Sequence, residues 1–496
     1  MTVTEEPTLR RDAVGFLDTL VIGLASTSPA YSLAAVLGPI VALVGVHAPG
    51  VLLASFVPML LIAGAFAALN RADPDCGTTF SWVTRAMGPW AGWMGGWAIT
   101  MTGVLVLGSL AEVGVRFTLL AVGLDGWTGS TATVMALTVA LILLMAWICV
   151  RGTEVSARLQ NGLIVAQTVA LAVFAVVALA RGELAPSWGW LDPFAGGGAA
   201  LNAGLLLGVF AYWGWESAVN LTEETTNSRT APGWAAVLST VVLLLTYLGV
   251  ATAVVSFAGP GWLARNAGEE EAVFALLSSR ALGGWDWVVL LAVATSAVAS
   301  TQTTILPASR TALSMARRAA LPRRFASISA AHRTPDVSSW WVAGVGVAWY
   351  AGVGLVSENA LYDSITGLSL LIALYYALTG LACAVFFRRR LLRSARDFLL
   401  LGVGPVLGAA MLGWLLVLSV RDLADAGNSY TGQAWLGVGP PLVIGVGVLA
   451  AGVGLMLFWR HRYAVLWRVH TAASDATRAK RIAALVELLR TGGRLH

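Results

Sequence analysis

Two stretches decide the fold: Leu24-Ala25-Ser26-Thr27-Ser28-Pro29 and Phe210-Ala211-Tyr212-Trp213-Gly214-Trp215-Glu216-Ser217. Each interrupts a long apolar run near its middle with polar, proline or glycine residues. A helix opened inside a bilayer leaves amides and carbonyls that cost several kcal/mol each unless something polar occupies them. Such breaks therefore persist only around a cavity or a ligand. Both lie about 12 residues into their runs, which at about 1.5 Å per residue is roughly 18 Å, near the midplane of a ~30 Å hydrocarbon core. Matching interruptions at matching depth in two halves of a chain mark a solute path.

Working outward, composition agrees with a membrane solvent. Of 496 residues, 57% are hydrophobic and 11% charged, where a soluble protein carries roughly 25% charged residues. The mean hydropathy is +0.77. Cys76, Cys149 and Cys383 are widely spaced in or beside apolar segments, so neither a disulfide framework nor a metal site is expected. The opening MTVTEEPTLRRD is polar, and no cleavage site follows the first apolar run, so that run is expected to stay in the membrane.

Apolar stretches of spanning length predict about twelve helices, over 17–44, 50–69, 90–122, 131–150, 162–180, 200–221, 234–258, 287–308, 340–356, 364–387, 400–420 and 436–459. Alternate loops are the basic ones, carrying Arg10 and Arg11, Arg71 and Arg85, Arg151 and Arg158, Arg229, Arg317 with Arg318, Arg323 and Arg324, and Arg388 to Arg390. The positive-inside rule makes those loops cytoplasmic. An even helix count then puts both termini inside, in a multi-pass protein of the inner (plasma) membrane. The opposite loops hold Glu183, Glu269, Glu270, Glu271, Glu358 and Asp363. The net charge of +5 follows from this bias and from an anionic lipid leaflet, so no nucleic-acid partner is implied. Residues 474–490 read as an amphipathic helix, with Ile482, Leu485, Leu488 and Leu489 on one face and Arg478, Lys480 and Arg481 available to lipid phosphates. A solvated tail helix packed on cytoplasmic loops is the other reading. The domain expectation is one transmembrane unit over 1–463 and a cytoplasmic tail over 464–496.

Further residues carry a family resemblance. Pro74-Asp-Cys-Gly77, Phe80-Ser-Trp-Val-Thr-Arg-Ala-Met-Gly-Pro89 and Gly92-Trp-Met-Gly-Gly-Trp97 closely resemble the intracellular signature of the amino acid-polyamine-organocation permeases. Gly214-Trp-Glu-Ser217, Glu223-Glu224 with Asn227, Arg229 and Pro232, and Met315-Ala-Arg317 to Leu321-Pro322 resemble the same family in the same order. The resemblance implies an all-α, LeuT-like five-plus-five inverted repeat with discontinuous first and sixth helices. Repeat one covers about 13–180, repeat two about 199–390, and two peripheral helices about 400–460. Two departures matter. Many members have a glycine-rich first break, whereas this chain has Ala25-Ser-Thr-Ser-Pro29 followed by Ala30 and Tyr31, which leaves room for a substrate other than an ordinary α-amino acid. Some proton-coupled members carry a fifth-helix lysine. Aligning Ser156-Ala-Arg158 places Gln167 there, which argues against lysine-based coupling.

The breaks themselves predict a binding site made of Ala25, Ser26, Thr27, Ser28, Pro29 and Tyr31 with Phe210, Tyr212, Trp213, Gly214, Glu216 and Ser217. The outer half of the first helix, beginning near Ser28, offers free amides and a positive dipole end to a carboxylate. Carbonyls near Leu24 to Ser26 and near Tyr212 to Trp213 suit an ammonium. An ordinary kink with hydroxyls bonded back to carbonyls is the competing reading of Ser-Thr-Ser. Glu216 is a functional candidate as an ionisable group inside the membrane, or else a structural acceptor for amides near Ser217. Phe210 and Trp213 flank the break and could cover a substrate, and Tyr375 and Tyr376 are gate candidates. Glu112 and Arg116, four apart, are expected to form a structural pair on the outer side. Ion-coupling candidates are Glu216, Gln167, and Ser300 with Thr301, one turn and a half after Thr295 and Ser296. The last two hydroxyls suit either an all-oxygen sodium site or bonding between helices.

No phosphate loop, metal-spaced Cys or His pair, or nucleophile elbow is present, so an enzyme is not expected and no cofactor is implied. The sequence reads as a secondary active transporter of an amino acid or related amine, with a proton or sodium as possible co-substrate. A polyamine or cationic-metabolite carrier and a non-transporting sensor on the same fold are the alternatives. Because no basic side chain lies in either break, neutral and cationic compounds are expected to bind, and glutamate and aspartate are not.

Overall fold

A computed structural model describes residues 7–266, 270–355, 358–429, 431–462 and 483. The tail helix expected over 474–490 lies outside them apart from Ala483, as does Glu269. The described chain is helical, with two isolated bridges and no strands. In order the helices are α1 (Phe16–Thr27), α2 (Pro29–Val44), α3 (Ala48–Ala72), α4 (Thr79–Met87), α5 (Pro89–Ala121), α6 (Asp125–Thr128), α7 (Thr131–Arg151), α8 (Thr153–Ala180), α9 (Gly197–Ala211) and α10 (Ser217–Asn220). They continue with α11 (Ala231–Ala258), α12 (Pro260–Arg265), α13 (Glu270–Leu282), α14 (Trp287–Arg317), α15 (Asp336–Gly354), α16 (Glu358–Phe386), α17 (Ala395–Asp397), α18 (Gly404–Leu423) and α19 (Pro440–Arg462). Nine segments among the described residues are long and apolar enough to cross a membrane, the first running from Phe16 to Ala72 through α1, α2 and α3. The chain is a multi-pass membrane protein.

Three helices depart from their apolar lengths, and burial explains two of them. α14 continues nine residues past the expected end at Ala308. Its polar extension, Ser309, Arg310, Thr311 and Ser314, is buried against protein, where side-chain partners replace the apolar match that lipid would demand. α8 starts at Thr153, before its apolar run, because Thr153, Ser156 and Gln160 likewise face the interior. The short α4, carrying the Phe80 to Met87 signature, was not expected as a helix. Its first half is buried on all sides, with Phe80, Trp82 and Val83 in the interior.

α5 and α14 pack along each other at the centre, with α1, α8, α15 and α16 around them. α18 rests on α16 and α3, and α19 on α16 and α5. Trp93 and Trp97 of α5 donate their indole N–H groups to the carbonyls of Gly452 (3.0 Å) and Val448 (2.8 Å) on α19.

Candidate functional site

The first break turns on a single residue. Ser28 adopts a left-handed conformation (φ 55°, ψ 62°), its amide bonding the Ala25 carbonyl at 3.1 Å. Pro29 then starts α2, where its missing N–H and fixed φ suit the first helical position. At the second break α9 ends at Ala211, Gly214 takes φ +122°, and α10 resumes at Ser217. The two breaks touch: a Cβ on Gly214 would lie 2.6 Å from the Ser26 carbonyl oxygen. The hydroxyls of Ser26 and Ser217 are 2.7 Å apart.

Hydroxyl groups satisfy several carbonyls at the breaks. Ser300 donates to the Ser26 carbonyl at 2.9 Å, Ser32 to Thr27 at 2.7 Å, and Tyr247 to Ala211 at 2.5 Å. The Ser28 hydroxyl pairs with Ser296 at 3.0 Å. Thr301 bonds back to Ala297 at 2.8 Å. Both hydroxyls considered for sodium are thus engaged with backbone carbonyls, one between helices and one within α14. Thr27 also bonds back to Gly23, at 3.1 Å, as the kink reading of the Ser-Thr-Ser run requires. Ala25, Ser26, Thr27, Ser28, Pro29 and Tyr31 are all buried, as are Tyr212, Gly214, Glu216 and Ser217, while Phe210 and Trp213 are half-buried.

Glu216 is buried and held by three donors. The Gly214 amide reaches Oε2 at 3.2 Å, Tyr376 reaches the same oxygen at 2.5 Å, and Tyr375 bonds Oε1. The Trp213 indole donates in turn to the Tyr375 hydroxyl at 2.5 Å. Trp215 stacks on Tyr376, ring centroids 5.3 Å apart and 11° between planes. The gate candidates Tyr375 and Tyr376 are therefore partners of Glu216 in this state. Trp215, Tyr247 and Ser32 are contributors beyond the residues expected from the sequence: Trp215 and Ser32 lie in or beside the breaks, where burial and partner are not read from residue type, and Tyr247 comes from the distant α11. Gln167 is fully buried, and neither its amide oxygen nor its nitrogen has a hydrogen-bond partner. It lies one turn beyond Ile164, which packs in one cluster with Ala25 and Ala299.

On one face a cavity of about 580 Å³ opens among the helix ends. Tyr31 of α2 and Phe210 of α9 line it, so it reaches the neighbourhood of both breaks. Glu112 and Arg116 form the expected ion pair at 2.7 Å, and both also line the cavity. On the opposite face, ion pairs among the described residues tie the helix ends together. Arg317 pairs with Glu223 at 2.8 Å and Arg318 with Asp75. Asp75 also accepts from Ser81 (2.6 Å), Ser314 (2.9 Å) and the Gly77 amide (2.8 Å). Burial pushes the Asp75 carboxyl up, but Arg318 and these hydrogen bonds more than offset it, so it sits below the usual carboxylate value. Just inside, Arg310 and Glu224 form a fully buried pair at 2.7 Å, with Thr153 bonded to the same carboxylate. Asp75, Cys76 and Glu223 come close enough to share a cation. Their two carboxylates are already neutralised by guanidinium groups.

The discontinuous helices thus meet at their breaks, with a cavity from one face and ion pairs across the other. A family model for amino acid permeases matches residues 15–449. The chain belongs to the amino acid permease family. A second, short match, to bacteriocin-protection, YdeI or OmpD-associated proteins, covers residues 458–492. Among relatives of this permease, an uncharacterized transporter of Mycobacterium tuberculosis is 28% identical over 469 residues, 91% of this chain and 93% of that one. The human Asc-type amino acid transporter 1 is 26% identical, over 81% of this chain and 72% of its own. The methylthioribose transporter of Bacillus subtilis is 25% identical, over 60% and 66%.

Proposed function

We propose that this permease is a secondary active transporter that moves a neutral or cationic amino acid, or a related amine, across the plasma membrane by alternating access. The observation that carries this reading is the contact of the two breaks beneath a cavity reaching Tyr31 and Phe210. The substrate sits at Ala25 to Pro29, Tyr31, Phe210, Tyr212 to Gly214, Glu216 and Ser217, with twelve crossings, a five-plus-five inverted repeat and both termini cytoplasmic. The cavity then faces outward and the arginine-paired face inward. Residues 1–463 form the transport unit. Coupling runs through Glu216 as proton linkage, or the carrier exchanges solutes without an ion. In support, Gln167 has no titrating group, and the Ser300 and Thr301 hydroxyls are committed to backbone carbonyls. A relative named for methylthioribose and the Ser-Thr-Ser run in place of glycines favour, as second reading, a substrate that is not an α-amino acid.

A thermal-shift screen of amino acids, amines and methylthioribose on the purified protein, with and without sodium, tests the class, because a ligand of the native state raises its apparent stability. Uptake into proteoliposomes tests the mechanism. Ser28→Leu is expected to abolish uptake. Full-rate uptake in that variant would remove the breaks as the site.

A further inference from the structure

Among the described residues, the charged side chains lining the outer cavity are Glu112, Arg116 and Asp422. Glu112 and Arg116 cancel, since the guanidinium bonds the carboxylate through Nε at 2.8 Å and Nη2 at 2.7 Å. Asp422 has no such partner: among the described residues no cationic side chain pairs with it. Its polar contact is the Asn428 amide at 3.1 Å. Among the described residues, two carboxylates against one guanidinium leave the cavity lining one negative charge. That charge sits exposed near the end of α18, at the mouth of a space whose walls are largely apolar. Low-dielectric walls focus the field of a charge along a cleft instead of letting water screen it. A second observation points to a ligand in the same space. The Ser109 hydroxyl, in the α5 wall with Glu112 and Arg116 one and two turns on, is buried and has no hydrogen-bond partner. Such a group is costly to leave dry and unpaired.

We propose that the outer cavity is a selecting vestibule for ammonium-bearing solutes, in which the Asp422 carboxylate draws cations inward and turns anions away. The proposal deepens the transport reading and rests on it for the identity of the solutes. It also gives α18, outside the two repeats, a part in specificity. Selection by charge then occurs before the breaks, where no basic or unpaired acidic side chain is available to make it.

The test uses the full-length chain with Ser369→Cys as a reporter in the cavity wall, on a background whose native Cys76, Cys149 and Cys383 are buried. Modification rates are measured with a cationic trimethylammonium, an anionic sulfonate and a neutral ethyl methanethiosulfonate. With Asp422 intact, the cation-to-anion rate ratio should exceed that of Asp422→Asn by about 3- to 10-fold at low salt, collapse toward it at high salt, and be kept by Asp422→Glu. The neutral reagent should react equally in all three, which separates charge from altered folding. Uptake of labelled L-alanine is followed in parallel, with L-lysine and L-glutamate as competitors. The lysine-over-glutamate preference should narrow several-fold in Asp422→Asn with kcat for alanine unchanged. An unchanged rate ratio in Asp422→Asn overturns the vestibule while leaving transport standing. The expected drop in the rate ratio in Asp422→Asn, in a protein that takes up none of the amino acids, amines or methylthioribose of the screen above, overturns the transport reading instead.

Discussion

At the residue scale the site depends on two backbone conformations that ordinary side chains resist. Gly214 combines φ +122° with a Cβ position 2.6 Å from the Ser26 oxygen. Gly214→Ala must therefore push the two breaks apart, at a cost of roughly 1–3 kcal/mol. Both a lower melting temperature and lost uptake are expected. An unchanged melting temperature would mean that the close approach is absent. Glu216 offers a second check. A carboxamide cannot accept from the Gly214 amide, Tyr375 and Tyr376 alike, because one of its two heads is a donor. Glu216→Gln should lose roughly 1–3 kcal/mol from the donor left facing an N–H. If Glu216 also carries the coupled proton, it flattens the pH dependence of uptake. A stability loss with an intact pH profile would leave Glu216 a structural acceptor only. Ser28, Pro29, Gly214 and Glu216 were legible in the sequence because proline, glycine and a lone carboxylate conflict with an apolar span. Tyr375 and Tyr376 were visible only as aromatics. Their link to Glu216 spans some 160 residues and leaves no local pattern.

At the scale of elements, hydropathy located the helices and misjudged the ends that protein, not lipid, surrounds. The last turns of α14 carry Arg310, whose partner Glu224 lies in the segment after α10. Breaking a fully buried pair from one side strands a charge, so Arg310→Met should cost roughly 3–5 kcal/mol. Adding Glu224→Gln should restore part of that loss, read as melting temperature and as yield of folded protein. No recovery in the double variant would indicate that the pair has other essential neighbours. The same reasoning explains α8, whose Ser156, Gln160 and Gln167 lie on its protein-facing side. A sequence shows that such residues are polar, not which surface they face.

At the scale of the whole molecule one face opens into the cavity, and ion pairs between three segments cross the other. Asp75 precedes α4, Glu223 follows α10, and Arg317 and Arg318 end α14. Asp75→Asn should weaken this tie and raise the accessibility of cysteines placed on that face. Unaltered accessibility would show that packing alone holds the helix ends together. The linkage has a definite sign. A carboxyl held below its ordinary value stabilises the paired face fully above about pH 4 and loses that contribution as pH falls through its lowered value. Between about pH 5 and 8 Asp75 stays ionised, so pH-dependent uptake in that window must arise elsewhere.

The indole bonds from Trp93 and Trp97 to the carbonyls of Gly452 and Val448 set a limit on truncation. A chain cut before Pro440 would keep every residue of both proposed repeats and still present two unpaired N–H groups and a bared α5 surface to lipid. The smallest fragment worth reconstituting therefore extends through α19, and chains ending after α16 should be recovered as aggregates.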